Sequence, residues 1–178
     1  MKTDSLRRFA NIHAHGITGH DIITSIEPDF DITTAYGDAW YSVGIHPWST
    51  DKEIAPEVFE RLKVMAADSR VVAIGEAGLD KNRGGEQNVQ EQIFRFHAVL
   101  AEEMIKPLII HCVGRYGRIM ELKSDISPSQ PWIIHGFTGK PELARQLLAT
   151  GFYISLGQRS NPDLRSLIPD DRRFEETD

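Results

Sequence analysis

The sequence predicts an α/β fold, a compact (β/α)8 TIM barrel that lacks the last helix after strand 8. Short apolar runs rich in β-branched residues recur along the chain, and several alternate with stretches of helical periodicity. This alternation is typical of βα units that build a parallel sheet. The candidate strands are residues 8–13, 21–26, 40–45, 71–76, 108–112, 132–136, 152–156 and 173–177.

Three segments between these strands are predicted to be helices. Residues 87–104 have the clearest pattern, with apolar side chains on one face at spacings of three and four, and the pattern stops before Pro107. Residues 56–67 and 141–149 repeat it more briefly. A typical barrel of this kind has about 250 residues. The shorter chain leaves only brief connections between the first three strands, and the eighth strand is the least apolar.

Composition restricts the classes of function. The chain has 178 residues, a net charge of −6 and one cysteine, and we expect a single domain over residues 1–178. No apolar stretch has the roughly 20 residues that span a bilayer, so no membrane partner is expected. The net charge argues against a protein that coats nucleic acid with a broad basic face. A lone cysteine fits a reducing compartment, and a cytoplasmic location is predicted.

Side chains of metal-ligand type stand at the ends of short apolar runs. Burying an unpaired imidazole or carboxylate is energetically costly. Because such residues end several apolar runs of this chain, one shared explanation is more plausible than several separate ones. Because active sites of (β/α)8 barrels lie at the carboxyl ends of the strands, a shared metal centre supplies that cause. The candidate ligands are His13, His15, Glu76, His111, His135 and Asp178.

The spacing of these residues supports the prediction. His13 and His15 are one residue apart and project from the same face of a strand. His111 and His135 end the similar runs L-I-I-H and W-I-I-H, which places them on adjacent parallel strands at one level. Each histidine taken alone is more often a satisfied core residue than a ligand.

The ligand set suits two divalent ions, Zn²⁺, Mn²⁺ or Mg²⁺, bridged by Glu76. Such a centre activates water, and Asp178 is the candidate that accepts the proton of that water. Glu76 and Asp178 are therefore the predicted catalytic carboxylates. His46, in V-G-I-H-P-W, is a candidate for contact with substrate, and Asp80 is a candidate for orienting a ligand histidine.

With these residues identified, the chain resembles the TatD family of metal-dependent hydrolases, within the amidohydrolase superfamily. The matching stretches are N-I-H-A-H, V-G-I-H-P-W, A-I-G-E-A-G-L-D, K-P-L-I-I-H, W-I-I-H-G-F-T-G, G-F-Y-I-S-L-G and the terminal E-T-D. The resemblance implies a TIM-barrel deoxyribonuclease that acts on DNA, including single-stranded ends. It also implies that His13, His15 and Asp178 bind one metal, that His111 and His135 bind the other, and that Glu76 bridges them.

The chain departs from the family pattern at several positions. Asn11 replaces the usual aspartate of D-x-H-x-H, Lys81 and Asn82 stand where aromatic residues and an arginine are common, and Arg115 is displaced from its usual place. The chain also has about two thirds of the usual length. These departures leave two alternatives to a phosphodiesterase. One is a two-metal hydrolase of a small amide or ester, and the other is an impaired barrel whose uncovered side binds a partner or a second copy.

Overall fold

The structure, a computed structural model, describes residues 3–34 and 39–178, and its architecture confirms the predicted barrel. Eight parallel strands pair in chain order, each with the next. A strand is found at each of the predicted positions. The strands are β1 (Asn11–Ala14), β2 (Ile22–Ile26), β3 (Trp40–Val43), β4 (Val71–Asp80), β5 (Leu108–Val113), β6 (Trp132–Ile134), β7 (Tyr153–Leu156) and β8 (Arg173–Glu175).

Helices cover the outside of the later strands. The predicted helices are confirmed as α1 (Pro56–Ala66), α2 (Gln87–Met104) and α4 (Pro141–Ala149). Two further helices, α3 (Tyr116–Ile126) and α5 (Asp163–Leu167), were not predicted. In the part of the chain that the structure describes, no α-helix connects β1 to β2 or β2 to β3, and none follows β8. No described helix combines the length and the apolar character needed to cross a membrane.

Strand β8 returns alongside β1 and brings the two ends of the sheet together. The backbone N–H of Thr177 donates to the carbonyl of His13 at 3.4 Å, and the Asn11 amide donates to the Thr177 hydroxyl at 2.6 Å. The Asn11 side-chain oxygen also accepts the backbone N–H of His13 at 3.1 Å. Asn11, which replaces the aspartate of the family pattern, therefore still supports His13 and links it to the last strand.

The apolar side chains form two clusters. The larger one packs the outer faces of β3–β7 against the helices, with Phe94, Trp132 and Phe152 fully buried. The smaller one gathers Phe174 and residues near the amino ends of the strands beneath the N-terminal segment. Alternation along the strands then directs every second side chain to the inside of the barrel, so His111 follows Ile109 and His135 follows Ile133.

Strand β4 extends beyond the predicted residues 71–76 and continues to Asp80. A Cβ on Gly78 would lie 1.8 Å from the carbonyl oxygen of His111, and one on Gly75 would lie 2.3 Å from that of Ile109. These glycines allow β4 to approach β5 closely, which carries Glu76 and Asp80 into reach of His111.

Candidate metal centre

The six predicted ligands come together at the carboxyl end of the barrel. His13, Glu76 and His111 lie within β1, β4 and β5, while His15 and His135 directly follow β1 and β6. Asp178 lies three residues beyond the end of β8. Because all of these strands are parallel, their carboxyl ends meet on one rim.

The carboxylate of Glu76 is the centre of the cluster. It is 3% exposed, and imidazole nitrogens surround both of its oxygens. Its Oε2 atom faces His13 and His15, and its Oε1 atom faces His46, His111 and His135. The Nε2 or Nδ1 atoms closest to Glu76 belong to His13 (3.1 Å), His15 (3.2 Å), His46 (3.0 Å), His111 (2.8 Å) and His135 (2.7 Å).

The hydrogen bonding of this cluster is incomplete, which fits a site for cations. Both ring nitrogens of His13 and the Oε2 atom of Glu76 are buried and make no well-directed hydrogen bond, although Nε2 and Oε2 lie 3.1 Å apart. Buried polar groups are normally satisfied, so such atoms call for a ligand that the protein itself does not provide. Imidazole and carboxylate donors suit Zn²⁺, Mn²⁺ and similar ions. Groups whose ligand atoms lie within 4.8 Å of one another include His13, His15 and Asp178, and also His13, Glu76 and His135.

Neighbouring charges and burial shift the pKa values of the groups in this cluster. Burial alone raises the pKa of Glu76, but the attraction of His135 and hydrogen bonds from nearby imidazoles hold that pKa well below its usual range. Burial lowers the pKa of His135, but Glu76 and Glu176 together hold it well above its usual range. Burial and the neighbouring His135 lower the pKa of His13. Glu76 therefore favours the ionised form that binds metals, whereas the proton favoured on His135 competes with a cation for that ring.

Glu176 is a member of the site that the sequence pattern did not single out. It is 5% exposed, and its Oε1 atom lies 3.6 Å from Nδ1 of His135, on the far side of the ring from Glu76. A carboxylate behind a ligand histidine fixes its tautomer and increases its basicity. Phe174 is buried inside the barrel, and residues two apart on a strand point to the same face, so this spacing could have indicated that Glu176 also points inward.

Asp80 lies where it was expected to orient a histidine. Its Oδ2 atom is 3.0 Å from Nε2 of His111 and accepts a hydrogen bond from the Trp48 indole N–H at 2.7 Å. Burial raises the pKa of Asp80, but the bonds from Trp48, Asn82 and His111 outweigh this and lower it. His111 is thus held between Glu76 and Asp80.

His46 lies at the cluster beside a cavity of about 420 Å³. Its Nδ1 atom accepts the backbone N–H of Trp48 at 3.1 Å, so in a neutral ring Nε2 carries the proton and donates to Glu76. Glu27 fixes this turn, because its Oε1 atom accepts the backbone N–H of His46 at 2.9 Å and the Ser49 hydroxyl at 2.9 Å. The cavity also contacts His15, Glu76, His111 and Asp178.

Asp178 lies at the mouth of the cluster. Its Oδ1 atom is 3.4 Å from Nε2 of His15, and its Oδ2 atom is 3.8 Å from the guanidinium of Arg159. Its side chain is 25% exposed, against 3% for Glu76. Asp178 is therefore the carboxylate of this centre that solvent and substrate reach most easily.

His97, on α2, supports the turn that carries His46. Its Nε2 atom accepts the backbone N–H of Ile45 at 2.9 Å, and its Nδ1–H donates to the carbonyl of Ile93 at 2.7 Å. The ring is fully buried, and burial lowers the pKa of His97 from 6.5 to about 4. The sequence indicated no special role for His97, yet it ties α2 to the residue before His46.

We expect His97 to make stability depend on pH. Its pKa is lower in the folded state, so the unfolded state binds more protons as pH falls below the unfolded value, and the stabilising contribution present above that value is lost. From about pH 7 to about pH 5, the free energy of unfolding should fall by about 2 kcal/mol more in the wild type than in His97→Gln. Urea titrations of both proteins at the two pH values measure this difference. Equal losses in the two proteins would contradict it.

Comparisons with known proteins identify relatives of this chain. A family model described as TatD related DNase matches residues 4–178. The 3'-5' ssDNA/RNA exonuclease TatD of Erwinia billingiae is 34% identical over 173 residues, which cover 91% of this chain and 66% of that protein.

Two solved structures share the fold. A TatD family hydrolase from Entamoeba histolytica superposes with a TM-score of 0.74 at 23% identity, over 88% of this chain and 60% of that one. A TatD homologue from Escherichia coli K12 gives 0.73 at 22% identity, over 88% and 66%. The chain thus spans less than two thirds of each of these three proteins. Because the family model matches nearly the whole sequence, the chain belongs to the family of TatD-related DNases.

Proposed function

We propose that this protein is a metal-dependent hydrolase that cleaves phosphodiester bonds in DNA or RNA, with single-stranded ends as the preferred substrate. The observation that carries the proposal is the convergence of imidazoles on the buried carboxylate of Glu76. The relative from Erwinia billingiae, named as a 3'-5' exonuclease of single-stranded DNA and RNA, supports this choice of substrate.

The proposed centre has two divalent ions, Zn²⁺, Mn²⁺ or Mg²⁺. Glu76 would contribute to holding both ions, while Glu176 and Asp80 would hold the rings of His135 and His111 in place from behind. When bound, the ions polarise the phosphoryl group and make water a better nucleophile near neutral pH. The proposed ligands are His13, His15, Glu76, His111, His135 and Asp178.

The protein's own groups then position the substrate and move the proton. Asp178, the most accessible carboxylate of the cluster, accepts the proton of the attacking water. His46 lines the cavity with its imidazole directed at Glu76, and we assign it to contact with the substrate. Glu27 and His97 fix the backbone on either side of that contact, at His46 and Ile45.

A second candidate function is hydrolysis of a small amide or ester. The observation that favours it is the acidic lining of the cavity, to which Glu27, Glu76 and Asp178 all contribute. These carboxylates repel a phosphate unless cations neutralise them. A neutral amide or ester would not meet that repulsion.

A parallel assay tests the two functions. We expect the protein to shorten end-labelled single-stranded DNA, to lose this activity in EDTA and to regain it with Mn²⁺, Mg²⁺ or Zn²⁺. His111→Ala should abolish the activity, whereas His20→Ala, which alters an exposed histidine outside the cluster, should keep it. Hydrolysis of amides or esters without cleavage of DNA or RNA would favour the second function. Full activity of His111→Ala on DNA would refute the first.

Three further proposals concern the chain as a whole. We propose that residues 1–178 act as a single unit and that the protein works in the cytoplasm, a location with which its single cysteine agrees. Burial raises the pKa of Cys112 to about 12, so the thiol is unreactive.

We also propose self-association through the side of the barrel formed by β1, β2 and β8, where the described chain provides no outer helix. The mass of the protein in solution tests this.

A further inference from the structure

A second cavity, which we call the basic pocket, lies beside the metal centre where β4 and β5 end. It has a volume of about 240 Å³, and three cations, Lys81, Arg83 and Arg115, outnumber the two carboxylates of its lining, Asp80 and Glu86. Among the described residues, no carboxylate forms an ion pair with any of these three side chains. Unpaired cations that line one cavity of a chain with net charge −6 provide a local site for an anion.

The backbone of the basic pocket is held in place by a buried glutamine. Gln90, on α2, is 3% exposed. Its amide N–H groups donate to the carbonyls of Asp80, Arg83 and Gly85, and its oxygen accepts the N–H of Asp80 at 2.8 Å. The segment that presents Lys81 and Arg83 is therefore ordered before any ligand arrives, which lowers the entropy cost of binding.

The same segment is pressed against the turn that carries Trp48. A Cβ on Gly84 would lie 1.9 Å from the carbonyl oxygen of Pro47, and one on Gly85 would lie 2.2 Å from that of Thr50. Only glycine permits this approach. The basic pocket and the turn Pro47–Asp51 thus form one surface.

Trp48 connects the basic pocket to the metal centre. Its side chain contributes to the wall of the metal-centre cavity and is 44% exposed. The guanidinium of Arg83 lies 4.2 Å from the centre of its ring, and its indole N–H donates to Asp80. Asp80 lines the basic pocket and also contacts His111. An aromatic ring therefore stands between the metal centre and a group of unpaired cations.

We propose that the basic pocket binds a second phosphate of a nucleic-acid strand whose scissile phosphate lies at the Glu76 cluster, and that Trp48 stacks against a base between the two. This inference rests on the proposed function, and it specifies a strand with several phosphates as the substrate. Proteins that bind single strands combine basic grooves with aromatic rings, since the backbone is charged and every base has a π-face.

Binding of a hydrolysis-resistant strand tests the basic pocket separately from catalysis. The probe is a fluorescent phosphorothioate octathymidylate, with anisotropy measured on the full chain at several salt concentrations. The test variant combines Lys81→Gln, Arg83→Gln and Arg115→Gln. The matched control removes the same charge from the outer helices through Lys63→Gln, Arg95→Gln and Arg145→Gln, at side chains that are at least 43% exposed.

We expect the test variant to bind about tenfold more weakly than the control, because each exposed cation that pairs with a phosphate contributes modestly. The slope of log affinity against log salt should also become shallower by about 0.7 for each phosphate that the variant no longer neutralises. Equal affinities and salt slopes in the two variants, or no binding of the strand by the wild type, would refute the proposal that the basic pocket binds a phosphate. Weaker binding by the test variant in a protein that cleaves no nucleic acid would support the pocket and refute the proposed nuclease function.

Discussion

Replacing Glu76 with glutamine is expected to remove bound metal from the protein. Glutamine has the same size as glutamate but no negative charge to attract cations. Its NH2 group also replaces one of the two carboxylate oxygens and cannot act as a ligand. Even changes to residues behind a ligand cost 10–100-fold in metal affinity, so loss of a central ligand should cost more than about 100-fold. Metal content after dialysis and competition with a chromophoric chelator measure the effect.

The matched control for this experiment is Glu142→Gln, which alters an exposed glutamate on α4. It should retain the metal content of the wild type. Circular dichroism of both variants separates loss of metal from loss of fold. If Glu76→Gln folds and retains metal with unchanged affinity, Glu76 does not bridge the ions and the proposed centre is wrong.

The sequence predicted the barrel well because most of its strands are apolar runs with a polar boundary. The predicted helices were those with a continuous apolar face, as in α2, or with a proline at the first position, as in α1 and α4. Helix α2 has 18 residues and a continuous apolar face, whereas α3 buries only Ile119 and Leu122 and has Gly117 in its first turn. Helix α5 has five residues and buries only Leu164. Helices without such a local signal depend on tertiary packing, which local periodicity does not record.

The candidate site was predictable where a residue ended a strand and unpredictable where it depended on the packing between strands. His13, His111 and His135 meet because parallel strands align their ends. The extension of β4 to Asp80 was not predicted, because a glycine in a sequence does not show whether the chain turns there or continues as a strand close to its neighbour. The basic pocket was not predicted either, because it depends on how β4 and β5 lie side by side. Arg115 appeared displaced in the sequence, yet the ends of β4 and β5 place it beside Lys81 and Arg83.

The second prediction concerns Asp178, which we propose as a ligand and as the acceptor of the proton from water. In Asp178→Asn the amide oxygen can still act as a ligand, but the group no longer accepts a proton. General bases contribute about 100-fold to 10,000-fold to a rate, so kcat on single-stranded DNA should fall by at least about 100-fold. Metal affinity should fall less than in Glu76→Gln because the amide oxygen remains a ligand, so metal supplied in excess should restore a metal content close to that of the wild type.

The comparison of kcat with metal content distinguishes the two roles of Asp178. Asp171→Asn, which alters an exposed aspartate just before β8, is the matched control and should leave both quantities unchanged. Loss of metal together with activity would assign Asp178 to ligation alone. A kcat within about threefold of the wild type would exclude it as the base, since the loss would fall far short of what a general base contributes. The proton would then have to go to another carboxylate that lines the cavity, Glu27 or Glu76.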